Sequence, residues 1–308
     1  MTISEEVTRL VSTLKRKNFL VEIFSGSNNC FDLIAKKNNV TIIIKVYENI
    51  DSIRKCQGEE LKKLAKLLNA NCIIIGKKTK VFRLQNNTVY YRYDIPTMDL
   101  NTFERLLENR QPIVRYFKGK HIVDIDFEKL KLKRKQLEIE PEELAEQIGV
   151  KPESMYRFEK GASTSLETAL KIEKILNEKL IKEIKVFEKI TDPIIFDEHP
   201  NDKILEKIHE LGLKMALFSH SPFKAYGDNE NDKGIFIGTG KGKFDIPKKA
   251  IELKKTSTII DSDSIIITKE YKYKNVEGIP IIEEEDLDTI NKLKELKKLI
   301  REREELND

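Results

Sequence analysis

Along residues 5 to 118 the hydrophobic pattern switches repeatedly between helical and strand periods. It predicts a helix from Glu5 to Lys17, strands at Leu20 to Ser25, Cys30 to Lys36 and Val40 to Val46, and a helix from Gly58 to Leu68. A strand at Asn71 to Ile75, a basic turn at Lys77 to Lys80, a strand near Val89 to Tyr93 and a helix from Asn101 to Leu107 follow. Phe31, Leu33 and Ala35 alternate with Asp32, Ile34 and Lys36, the parity of a partly buried strand.

Residues 130 to 176 read as a compact bundle of helices joined by short turns. Leu144, Ala145 and Ile148 share one face of a helix that Pro141 opens and Gly149 closes as a left-handed residue. After a sharp turn, Pro152 to Phe158 form a second helix with Met155 and Phe158 inward. Gly161 ends it, Ser163, Thr164 and Ser165 offer the next N-cap, and Leu166, Ala169, Leu170, Ile172 and Leu176 close the core at helical spacing.

Beyond residue 187 the alternation returns. Strands are expected at Pro193 to Phe196, Lys214 to Ser219, Ile235 to Gly238, Ser264 to Thr268 and before Asp286, with helices at Asp202 to Leu211 and Ile246 to Leu253 and a loop from Pro222 to Lys233. A final apolar stripe, Leu287, Ile290, Leu293, Leu296 and Ile300, is expected to dock within the same chain. The order of elements follows that of the first 118 residues, and ANCIIIGKK corresponds to SDSIIITKE. The two regions are either copies of one fold or unrelated small α/β domains.

The helical segment resembles the phage-repressor (Cro/Xre-type) helix-turn-helix domain through Glu143-Leu144-Ala145, Ile148-Gly149-Val150, Met155-Tyr156-Arg157-Phe158-Glu159, Gly161 and Ser165-Leu166-Glu167. The narrower match is to archaeal regulators of this class that carry a long N-terminal extension. The resemblance implies double-stranded DNA as partner, a homodimer, and Pro152 to Phe158 as the recognition helix. Lys151, Glu153, Ser154, Tyr156, Arg157 and Lys160 are its candidate DNA-facing residues; Arg157 suits guanine, Tyr156 and Lys160 the backbone, and Glu159 pairs internally with Arg134. The chain departs from the family in Glu140-Pro141 where Ser-Gln usually opens the second helix, in Glu138 where glycine follows the first, and in the acidic Glu153.

The segment SGSNNCFDLIAKKNNVTIIIKV, with the order helix, three strands, helix, strand, resembles the restriction-endonuclease-like and Holliday-junction-resolvase-like fold. That family implies a metal held by an Asp and by an acidic-x-Lys on the next strand. Asp32 and Lys45 occupy two of those places and Ile43 the third, so catalysis and a metal are not expected.

The expected fold class is therefore α/β plus all-α. Its parts are a basic nuclease-like α/β domain over 1–118, a five-helix Cro-type bundle over 119–186, and an acidic α/β domain over 187–308 that is a second nuclease-like copy if the repeat holds.

Charge sharpens the partition. The net +4 is distributed as +10 over 1–120, −1 over 121–185 and −5 over 186–308. A helix-turn-helix with so little positive charge binds phosphate weakly, and Lys62, Lys63, Lys66, Lys77, Lys78 and Lys80 are either phosphate contacts or a solvated face. Cys30, Cys56 and Cys72 form no CxxC pair and the four histidines are scattered, which indicates neither a disulfide scaffold nor a zinc site. His220 reads as a lone structural histidine, and GTGKGK at 238–243 lacks the Walker spacing. No cofactor is expected, and the sequence does not say which small-molecule effector, if any, the flanking domains sense. The absence of a long apolar run and the acidic start point to a cytoplasmic protein with no membrane partner.

The function expected is a sequence-specific DNA-binding transcriptional regulator, not an enzyme. The alternatives are a metal-dependent nuclease targeted by the helix-turn-helix and a protein-binding adaptor.

Overall fold

Helix α1 (Glu5–Arg16) buries Leu10, Thr13 and Leu14 on one stripe, with Glu5 and Glu6 at its positive end and Lys15 and Arg16 at its negative end. The computed structural model describes residues 5–26, 28–187, 196–228 and 233–306. The chain divides into two compact units that interleave along the sequence: residues 1–46, 54–72 and 189–308 form one, and 47–53 and 73–188 the other.

After α1, strands β1 (Leu20–Ile23), β2 (Leu33–Lys37) and β3 (Val40–Asn49) form an antiparallel meander, with Leu33 opposite Ile44. Helix α2 (Lys55–Leu67) buries Leu61, Leu64 and Ala65 and leads to β4 (Asn71–Lys78). Next come β5 (Thr88–Arg92), β6 (Ile95–Met98), α3 (Leu100–Leu106), β7 (Val114–Phe117) and β8 (Lys120–Ile122). The pattern had not indicated β6, β7 or β8. Two of their hairpins turn on two residues with positive φ, Tyr93 and Asp94, then Lys118 and Gly119, the geometry that matches strand twist.

Four helices, α4 (Phe127–Gln136), α5 (Pro141–Ile148), α6 (Pro152–Phe158) and α7 (Leu166–Leu176), make the bundle. A fifth was expected. Instead Asn177 ends α7 in the left-handed conformation, and the chain runs on extended, with Ile181 bridging Ile125 and the Lys182 N–H donating to the Asp124 carbonyl at 2.8 Å. Val114, Val123 and Ile125 from the β7–β8 region share the core of Leu130, Leu144, Ile148, Met155, Ile172 and Leu176. Leu170 differs from its expected place in the core: it is half exposed, because Ala169 and Ile172 define the inward stripe.

The C-terminal part supplies α8 (Lys203–Glu210), β9 (Lys214–Leu217), β10 (Ala225–Asp228), β11 (Ile235–Thr239), α9 (Gly242–Ile260), β12 (Asp263–Thr268), β13 (Asn275–Val276), β14 (Ile279–Glu283), α10 (Glu284–Thr289) and α11 (Leu293–Glu304). β10 occupies part of the expected loop, and the strand expected at Pro193 to Phe196 lies, Phe196 apart, outside the described residues. The helix expected from Ile246 to Leu253 is longer: α9 opens at Gly242, carries Pro247 inside and runs to Ile260. Among the described residues, no helix is long and apolar enough to cross a membrane.

The two halves share their connections. A meander of three antiparallel strands, a helix, and a strand paired in parallel with the second strand of a hairpin describe both β1–β2–β3, α2, β4, β6, β5 and β9–β10–β11, α9, β12, β14, β13.

Helix α9 packs on β11 and β12 and also on β1 and β2. That second layer explains why Leu33, Ile34 and Ala35 are all buried, so β2 is covered on both faces and not on one. The tail stripe docks in its own unit: Leu287, Leu296 and Ile300 join Ile265, Ile267 and Ile282.

Candidate nucleic-acid interface

The turn between α5 and α6 depends on Gly149, whose φ of 75° and ψ of 39° are left-handed. Pro152 then starts α6, and Met155 and Phe158 anchor it in the core. The anchoring leaves Lys151, Glu153, Tyr156, Arg157 and Lys160 exposed and Ser154 half-buried, all six on or beside the outer face of one seven-residue helix.

Buried polar contacts fix that helix. Arg134 of α4 places Nε 2.6 Å from Glu159 Oε1 and Nη1 2.5 Å from the Ile139 carbonyl. Glu159 caps the C-terminus of α6, so the ion pair ties the helix end to α4. On the exposed side the Tyr156 hydroxyl donates to Glu142 of α5, which holds that carboxyl below the usual glutamate range. Arg115 of β7 grips Asp124 through Nε and Nη2, each at 2.9 Å, and reaches Ser163 at 2.8 Å in the loop entering α7. The Arg115 hydrogen bond lowers the Asp124 carboxyl below its ordinary value.

In the nuclease-like segment, Lys45 Nζ lies 2.8 Å from Asp32 Oδ1 and 2.7 Å from the Asn29 carbonyl, while the Val46 N–H donates to Asp32 Oδ2 at 2.7 Å. Both carboxylate oxygens are thus engaged, Lys45 is buried, and the intervening residue is the fully buried hydrocarbon Ile43. A hard divalent cation needs several oxygen ligands, and this donor set does not fit one. Among the described residues no group of three or more His, Cys, Asp or Glu side chains could hold a metal.

The basic set divides between the units. Lys63 of α2 is 2.9 Å from Glu198, donates to the Leu217 carbonyl and sits 4.8 Å over the Phe218 ring. Lys77 pairs with Glu48 at 2.8 Å. These partners reduce the charge available for phosphate.

Residues 4–113 match the model of a PD-(D/E)XK superfamily domain, and residues 130–182 match that of a helix-turn-helix. Over nearly its whole length the chain is similar to proteins named "putative HTH-type transcriptional regulatory protein". One from Methanocaldococcus jannaschii is 30% identical over 96% of this chain and 97% of that protein, and one from Archaeoglobus fulgidus is 31% identical with the same coverage. One from Methanococcoides burtonii is 33% identical over 96% of each. The chain belongs to this family. Its residues 130–182 are the helix-turn-helix that the family's name refers to.

Within this family member, pattern reading placed the helix-turn-helix side chains and the Asp32–Lys45 pair. It missed the Arg115–Asp124–Ser163 network and the surroundings of His220. That histidine was read as lone, yet Glu60 of α2 accepts from its backbone N–H at 2.8 Å and contacts its Nδ1 at 3.0 Å. No local spacing could indicate a pair 160 residues apart.

Proposed function

We propose that this chain is a sequence-specific transcriptional regulator that binds duplex DNA as a two-fold dimer, reads the major groove with α6 and does not cleave its target. The observation that carries the reading is the outer face of α6, where Arg157, Lys151 and Ser154 are free of the core while Met155, Phe158 and the Arg134–Glu159 pair fix the helix beneath them. Arg157 has the fork geometry to engage guanine, and Lys160 and Lys151 flank it with positive charge. A dimer would set two α6 helices about 34 Å apart, one helical turn of DNA.

Genome-wide selection of bound fragments with the purified chain tests this. A palindromic consensus with half-sites one turn apart supports it, and the absence of any enriched sequence overturns it. The nuclease alternative is tested in magnesium or manganese on duplex, branched and single-stranded DNA. No cleavage is expected, and cleavage abolished by Asp32→Ala or Lys45→Ala would overturn the non-enzymatic reading.

A further inference from the structure

Three side chains of the first unit that DNA binding does not use converge beside the first turn of α2. Cys56 is the second residue of this 13-residue helix and is exposed. Its Sγ lies 3.8 Å from Nε2 of His220, and the other ring nitrogen, Nδ1, lies 3.0 Å from Glu60 Oε1. Glu60 is held in turn, accepting the backbone N–H groups of Ser219 at 2.9 Å and His220 at 2.8 Å. The side chains of His220 and Glu60 are only 15% and 13% exposed, so the ring is clamped and not free to turn away.

The chemistry follows from the donor and acceptor roles. A carboxylate only accepts, so Nδ1 must carry the proton, and Nε2 then presents its lone pair to the thiol. Thiol, imidazole and carboxylate in this order are the arrangement that converts a weak nucleophile into an active one. The start of a helix also favours a thiolate over a thiol.

We propose that Cys56, His220 and Glu60 form a thiol-activating triad that makes Cys56 a modification site for soft electrophiles. With a haloacetamide, His220 Nε2 takes the thiol proton and the thiolate attacks the methylene carbon. The S–C bond forms as the C–halogen bond breaks, halide leaves with the bonding pair, and the imidazolium returns its proton to water.

The other charged groups nearby do not supply this activation. Arg54 is held by Asn28 and Gln57, and Lys55 pairs with Glu59 at 3.6 Å. Asp32 and Lys45 pair with each other at 2.8 Å, and Cys30, whose N–H donates to the His220 carbonyl at 2.6 Å, is buried with its thiol pushed up by that burial.

The test uses the intact chain and iodoacetamide at pH 7, with carboxamidomethylation followed at each cysteine by mass spectrometry. Cys72, whose burial raises its thiol to about 11, is the internal reference. Cys56 is expected to react at least about fivefold faster in the wild type than in His220→Asn, and a smaller difference overturns the triad. Should His220→Asn fail to fold, the wild type alone decides, with glutathione as the free-thiol standard at the same pH: Cys56 reacting at least about fivefold faster supports the proposal, and any smaller ratio overturns it.

Discussion

Arg134 and Glu159 meet inside the helical bundle at 2.6 Å with side chains only 6% and 9% exposed. The pair is the one expected from the sequence, and its role is simple: one guanidinium closes the end of α6 and also satisfies the Ile139 carbonyl between α4 and α5. Removing one partner strands a buried charge, so Glu159→Ala is expected to cost about 3–5 kcal/mol in chemical denaturation. The double variant Arg134→Met/Glu159→Leu should recover most of that loss. A single-variant cost below about 1 kcal/mol would show that the pair is not buried as described.

Asp124 gives the bundle a pH dependence. Its carboxyl is held low chiefly by Arg115, with Ser163 adding a further hydrogen bond, and the gain is fully present above its unfolded value of about 3.9. It is lost as pH falls through the lower folded value. Asp124→Asn should therefore lower the melting temperature at pH 7, with the difference from wild type narrowing in acid below about pH 4. A difference that stays constant on acidification would contradict the assignment.

Glu138 holds a φ of 54° just after α4, at the place where the helix-turn-helix family usually has glycine. A side chain in this region is strained, so Glu138→Gly is expected to stabilise the protein by about 0.5–1 kcal/mol. Thermal melts of the two proteins check the sign. Destabilisation would mean that the Glu138 side chain makes a compensating contact.

What could be read from the sequence was local. The 3.6-residue period placed Leu144, Ala145, Ile148, Met155 and Phe158, and Gly149 marked the turn because only its missing Cβ makes φ of 75° easy. What could not be read depended on distant chain. β2 is covered on its second face by α9, and the ring of His220 is fixed by Glu60; neither leaves a trace in nearby spacing. The missed hairpins turn on Tyr93-Asp94 and Lys118-Gly119, where a non-glycine residue accepts positive φ and weakens the usual turn signal. The absent fifth helix reflects bonds from Leu180 and Ile181 N–H groups to the Glu173 carboxylate, which turn the chain out of helical conformation.

Acidic residues flank the proposed reading face. Glu142 is occupied by the Tyr156 hydroxyl, and Glu153 is exposed at the start of α6. Replacing either by glutamine should raise affinity for duplex DNA about two- to fivefold at low salt, with the gain fading as salt rises. Fluorescence anisotropy at two ionic strengths measures it. Unchanged affinity for both variants would place DNA elsewhere. Phosphate contacts from the lysines of residues 1–120 are best tested by Lys66→Gln or Lys80→Gln in the intact chain, since truncation there would remove strands from both interleaved units.

Arg157 is the side chain on which recognition by α6 depends most. Selection of DNA fragments with wild type and with Arg157→Ala, side by side at one salt concentration, is the decisive measurement. The variant is expected to lose preference at one symmetric guanine position and about 1–3 kcal/mol of affinity for the wild-type site, while its binding to unrelated duplex changes little. An identical consensus selected by both proteins with equal affinity would contradict the assignment of α6 as the element that reads DNA.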